Sequence, residues 1–87
     1  MNAYKEAREA LISILVEDCK VDASSISDED HLQDDLGLDS MRLLSLALEA
    51  ENFLGCALEE DPEDPPLTVR ALVELVATRL EEQRHVA

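Results

Sequence analysis

Asp34-Asp35-Leu36-Gly37-Leu38-Asp39-Ser40-Met41 joins two unlike halves of this chain. Three carboxylates and a glycine deliver one serine to the start of an apolar, helix-periodic run. From Ser40 to about Phe53 the spacing predicts a helix with two apolar stripes. Leu43, Leu46, Ala47, Ala50 and Leu54 make a broad face suited to a core. Met41, Leu44 and Leu48, at i, i+3 and i+7, make a second stripe that begins beside Ser40. A helix in so small a domain does not bury its whole circumference. The second stripe therefore either packs under a neighbouring segment or stays open as a docking surface.

Upstream lies a long connection, Lys20 to Asp39, rich in Ser and Asp. Val21, Ile26, Leu32, Leu36 and Leu38 recur along it and can pin it to the helices it crosses; short single turns fit within it. Gly37 supplies the backbone freedom needed to reverse into the next helix. Before the connection, Ala7, Leu11, Ile14 and Leu15 fall at helical spacing and predict an amphipathic first helix from about Ala3 to Cys19. Downstream, Gly55 is placed as a helix C-cap, and Cys56, Ala57 and Leu58 are expected to return to the core. The acidic, proline-bearing segment from Glu59 to Pro66 has room for at most one short helical turn. Thr68 is a good N-cap for a last helix, with Leu67 positioned to staple to Leu72. Val69, Leu72, Val73, Val76 and Leu80 form its buried stripe, Arg79 and Arg84 suit its dipole, and the tail is expected to fray after Glu82.

The composition agrees. Eighty-seven residues make one domain, 1–87, with 46% hydrophobic residues but Tyr4 and Phe53 as the only aromatics. A core of Leu, Ile, Val and Ala with only 2 Gly and 3 Pro predicts an all-α fold. The net charge of −14 argues against nucleic acid and favours partners with basic surfaces. The acid is concentrated: residues 21–40 hold seven Asp or Glu and no Lys or Arg. No apolar run approaches membrane-spanning length, and the N-terminus lacks a secretory signal. Cys19 and Cys56 are therefore expected as reduced, partly buried thiols in a cytoplasmic protein.

Self-contained catalysis is not expected. His31 and His85 lie in polar surroundings outside any metal-ligand spacing, and Ser40 lacks a Gly-x-Ser-x-Gly elbow. Asp28-Glu29-Asp30 opens like a calcium loop, but Leu32, Gln33 and Asp39 stand where an oxygen ligand, the glycine and the bidentate Glu belong. Ser40 itself has two readings: an ordinary helix N-cap, or a hydroxyl that carries a phosphate ester where the helix amides favour an anion. In the second reading Asp34, Asp35 and Asp39 engage basic residues, or a metal, on the enzyme that installs the ester.

The motif resembles the phosphopantetheine attachment sequence of acyl carrier proteins, Asp/Glu-Asp-Leu-Gly-x-Asp-Ser-Leu. The likeness extends through the first helix, the long loop, the helix after Ser40, and Leu67-Thr68-Val69-Arg70-Ala71-Leu72. It implies a four-helix bundle of three main helices and a short third one, at about Glu59 to Asp64. It implies that Ser40 accepts 4′-phosphopantetheine from coenzyme A, with Asp39 recognised by the transferase and Asp35, Met41, Leu44 and Leu48 facing partners. Those partners would be the phosphopantetheinyl transferase and enzymes of acyl loading, condensation and transfer, acting on a monomeric carrier. In fatty-acid members, aliphatic chains also shelter between the helices. Leu38, where peptide-synthetase carriers usually have glycine, favours an acyl over a peptidyl carrier. Arg42 and Ser45, where acid would be unremarkable, point to dedicated partners in polyketide or other specialised biosynthesis, such as an antibiotic pathway, rather than to housekeeping fatty-acid synthesis. The initial Met and the short tail suggest a free-standing carrier. The rival from another class is an unmodified acidic adaptor in which Ser40 is only a cap.

Overall fold

Asn2 starts the first helix: its side-chain carbonyl accepts the Tyr4 amide at 2.9 Å, satisfying one of the donors that a helix start leaves open. The computed structural model describes residues 2–58, 63 and 65–85. The first helix, α1, spans Ala3–Glu17 and buries Ala3, Ala7, Leu11 and Leu15 along one stripe. It stops two residues short of the expected Cys19. Asp18 is the C-cap, and Lys20 adopts a left-handed backbone (φ 62°) that lets the Val21 amide reach back to the Leu15 carbonyl at 2.9 Å. Two further α-helices follow, α2 at Ser40–Leu54 and α3 at Val69–His85, with no strand among the described residues. The protein is all-α, with α1 packed most extensively against α3 and α2 resting on both. The short helix expected at about Glu59 to Asp64 lies outside the described residues apart from Glu63.

The connection from Lys20 to Asp39 contains a single 3-10 turn, Ala23–Ser25, capped by the Asp22 carboxylate on the Ser24 amide. Leu32 and Leu38 are buried, and Val21, Ile26 and Leu36 pack against the core from the side, so the loop's apolar residues pin it as expected. Backbone pairing with the start of α3 adds to this. The Val69 amide donates to the Asp30 carbonyl, the Arg70 amide to the Asp28 carbonyl, and the Ala71 amide to the Thr68 hydroxyl. The loop thereby satisfies α3 amides that would otherwise lack partners. His31 is exposed as expected, yet its backbone bridges to Thr68. The expected staple partner Leu67 is 56% exposed, while its carbonyl accepts the Leu32 amide.

The first acid of Asp28-Glu29-Asp30 is committed to α1. It accepts the Tyr4 hydroxyl at 2.8 Å and the Arg8 guanidinium at 2.6 Å, tying the loop to α1. These bonds, Arg8 first and Tyr4 second, hold its carboxyl below the usual carboxylate range. A carboxylate whose folded pKa is depressed stabilises the fold fully above its unfolded value of about 3.9, and that contribution fades as pH falls through the folded value. The stability of Asp28→Asn should therefore fall less steeply than the parent's on acidification below about pH 5. Asp22, held low by the Ser24 amide and hydroxyl, keeps part of the acid limb in the variant. Parallel acid limbs in urea-unfolding series would show that Asp28 gains nothing from its partners.

The far ends of α2 and α3 clamp each other. Gly55 (φ 77°) is the left-handed C-cap of α2, and Glu51 accepts the Leu58 amide at 3.1 Å. From α3, Arg79 donates to the Leu58 carbonyl and Gln83 to the Leu54 carbonyl, both at 2.7 Å. Arg84 pairs with Glu6 on α1. The end of α3 is thus anchored by cross-helix contacts and continues past Glu82 to His85, where fraying was expected. Leu58 returns to the core, but Cys56 and Ala57 stay exposed because the αL turn at Gly55 swings them outward. The two cysteines are free: Cys19 is buried and Cys56 is exposed rather than partly buried.

Candidate functional site

The approach to Ser40 is a tight backbone turn. Between His31 and Gly37 the amides of Asp35 and Leu36 both donate to the His31 carbonyl, and the Gly37 amide donates to Gln33. Asp35 closes this turn from the other side, its carboxylate accepting the His31 amide at 2.7 Å. Gly37 has φ 70°, the left-handed region that favours glycine, and Leu38 then inserts into the core with its amide on the Leu32 carbonyl. Burial of Leu38 fixes where the next residue stands. Asp39 follows with extended backbone (φ −86°, ψ 179°), and its carboxylate accepts the Arg42 amide at 2.9 Å.

Asp39, then, is the N-cap of α2, and Ser40, the other candidate for that cap, is not. Ser40 is the first residue of the helix, exposed, and its hydroxyl forms no hydrogen bond among the described residues. The cap interaction predicts an order of stabilities for the unmodified protein. Asp39→Ala should cost about 0.5–2 kcal/mol through loss of the cap. Ser40→Ala should stay within about 0.5 kcal/mol of the parent, as for a surface position without partners. Thermal unfolding of both variants checks this, and a larger loss at Ser40 than at Asp39 would contradict the assignment.

Below Ser40 the two stripes of α2 separate as expected. Leu46, Ala50 and Leu54 are buried, with Leu43 and Ala47 packed at the core's edge. Met41, Leu44 and Leu48 are 79%, 61% and 51% exposed and form an open apolar line that starts next to Ser40. Phe53, also exposed, lies on a different side of α2, beside Glu6, Glu9 and Ala10 of α1. Asp34 is exposed on the loop, whereas the Asp35 carboxylate is already engaged by its own turn.

A pocket of 420 Å³ opens on the other side of α2. Leu43, Leu46 and Ala47 line it from α2, Leu72 from α3, and Pro66 and Leu67 from the approach to α3, with His31, Gln33 and Asp34 among its polar lining. Sequence spacing marked its α2 residues as core without revealing the space, because the pocket depends on how residues 65–67 pass over the helix. The described residues include no group of three or more His, Cys, Asp or Glu able to hold a metal, and no helix long and apolar enough to cross a membrane. The expectation for His85 concerns a side chain outside the described residues.

The arrangement supplies an exposed hydroxyl at the first residue of α2, free of the cap bond that Asp39 makes to the Arg42 amide. Such a hydroxyl can carry an ester without breaking any contact of the fold, which fits a phosphodiester-linked arm. Comparison with known proteins identifies the family. Residues 9–61 match the family model for a phosphopantetheine attachment site. The chain is also 31% identical over 78 residues to an acyl carrier protein of Amoebophilus asiaticus, covering 90% of this chain and 98% of that protein.

Proposed function

The chain belongs to the acyl carrier protein family, and from that membership we propose that Ser40 is the residue bearing its arm. The protein is a carrier and not a catalyst, and its cofactor is covalently attached 4′-phosphopantetheine. The observation that carries the assignment to Ser40 is its exposed hydroxyl, without a hydrogen-bond partner among the described residues, directly after the capping Asp39. When bound, the arm presents a terminal thiol that holds an acyl group as a thioester, activated for transfer and condensation. The chain's own residues address it. Asp39 holds the helix start in place and offers charge to the transferase, while Met41, Leu44 and Leu48 offer an apolar contact to the enzymes that load, extend or unload the cargo. Peptide mapping after loading tests the assignment: the added mass should fall on the peptide containing Ser40, and modification elsewhere would overturn it.

The pocket beside α2 supports an acyl over an aminoacyl cargo, since the apolar walls it draws from Leu43, Leu46, Ala47 and Leu72 suit an aliphatic chain. The same reading includes a short helix at about Glu59 to Asp64 completing a four-helix bundle, a monomeric state, residence in the cytoplasm and service in polyketide or other specialised biosynthesis. Arg42 and Ser45 on the exposed part of α2 support dedicated partners. A peptidyl carrier remains the second reading, favoured by the polar groups of His31, Gln33 and Asp34 along the pocket.

A further inference from the structure

Where α1 passes the far ends of α2 and α3, the three helices leave a groove of 530 Å³. Glu6, Glu9 and Ala10 line it from α1, Phe53 from α2, and Leu80 and Arg84 from α3. Phe53 is the one phenylalanine of the chain, and 43% of it stays exposed beside an aliphatic core. It stands near the opposite end of α2 from Ser40, about 20 Å along the helix. Relative to Leu48 it is turned about 140° round the helix, away from the open line that Leu48 shares with Met41 and Leu44. The groove is therefore a surface separate from the one that begins at Ser40.

Its charges are unevenly matched. Arg84 pairs with Glu6, so those two charges offset each other. Glu9 is exposed, and among the described residues it has no cation within 4.0 Å. Lys5 lies one turn before it, but a lysine preceding a glutamate at i, i+4 is in the less favourable order, and the two form no ion pair. Glu49, half-buried and one turn before Phe53 on the same side of α2, also has no ion pair among the described residues. An exposed aromatic ring beside uncompensated carboxylates attracts a cation. A guanidinium fits better than an ammonium, because it is planar, weakly hydrated, able to stack on a ring and able to bond a carboxylate at its edge. The wall already carries one such contact, Arg84 on Glu6. A second copy of this chain is a poor occupant, since two chains of net charge −14 repel.

We propose that this groove is a docking site for an arginine of a partner polypeptide, its guanidinium stacked on Phe53 and paired with Glu9. The site does not depend on Ser40 or on any arm, and its occupation leaves the start of α2 free. The probe is the blocked peptide acetyl-Leu-Arg-Leu-amide, titrated into the full chain by NMR beside the same peptide with Gln in place of Arg. The ring signals of the one phenylalanine report the contact directly. The arginine peptide should shift them saturably, together with the amides of Glu9 and Ala10, and the glutamine peptide should not. Glu9→Gln and Phe53→Leu should each weaken binding by about threefold or more. Phe53→Leu leaves the charge unaltered, so a loss there separates the groove from general attraction of a cation to an acidic chain. Circular dichroism checks the fold of each variant, and Glu9→Gln, at an exposed position, keeps the test open if Phe53→Leu is misfolded. Shifts centred on residues 34–48, an equal response to both peptides, or a folded variant that binds as tightly as the parent would overturn the proposal. So would Phe53 signals that move with the concentration of the chain alone, which would put a second copy in the groove.

Discussion

Leu46→Ala is expected to lower the stability of the unmodified protein by about 2–5 kcal/mol. Leu46 is 1% exposed, at the centre of the buried stripe of α2, and it also forms part of the wall of the 420 Å³ pocket. Truncation removes the transfer free energy of three carbons and extends space that neighbouring side chains already leave open. The cost of such a change rises with the volume left behind, so relaxation offers little relief here. For a domain of this size each kcal/mol shifts the melting temperature by roughly 4–8 °C, which makes the loss visible in a simple thermal scan. A change below about 0.5 kcal/mol, typical of surface positions, would mean that the two faces of α2 are reversed.

Leu44→Glu is the opposite case. Leu44 is 61% exposed, and Glu is nearly as good a helix former as Leu, so stability should change by no more than about 0.5 kcal/mol. Its position in the middle of the Met41–Leu44–Leu48 line makes it the natural anchor for a partner. Placing a charge against an apolar partner surface should cost at least about 2 kcal/mol of binding, close to 30-fold in affinity. Titration of the holo variant with an enzyme that binds the parent measures this directly. Unaltered affinity would take the apolar line out of the docking surface, and unfolding would show that Leu44 supports the core.

How much of this was readable beforehand depended on the range of the interaction concerned. The faces of α2, the buried stripe of α3 and the turn at Gly37 follow from local periodicity and backbone preference, and the structure keeps them. The cap of α2 was ambiguous because Asp39 and Ser40 are adjacent and both residue types cap well; only the bond from the Arg42 amide separates them. The role of Asp28 was hidden because its partners Tyr4 and Arg8 lie 24 and 20 residues away. The end of α3 was misread for the same reason, since Gln83 and Arg84 are held by Leu54 and Glu6.

The central claim is that Ser40 bears the arm, and the most direct measurement is intact mass before and after incubation with coenzyme A and a promiscuous phosphopantetheinyl transferase. The parent should gain the mass of one phosphopantetheine, and Ser40→Ala, equally folded and equally stable, should gain none. A gain in Ser40→Ala, or none in a folded parent with a transferase shown to be active on another carrier, would contradict the account.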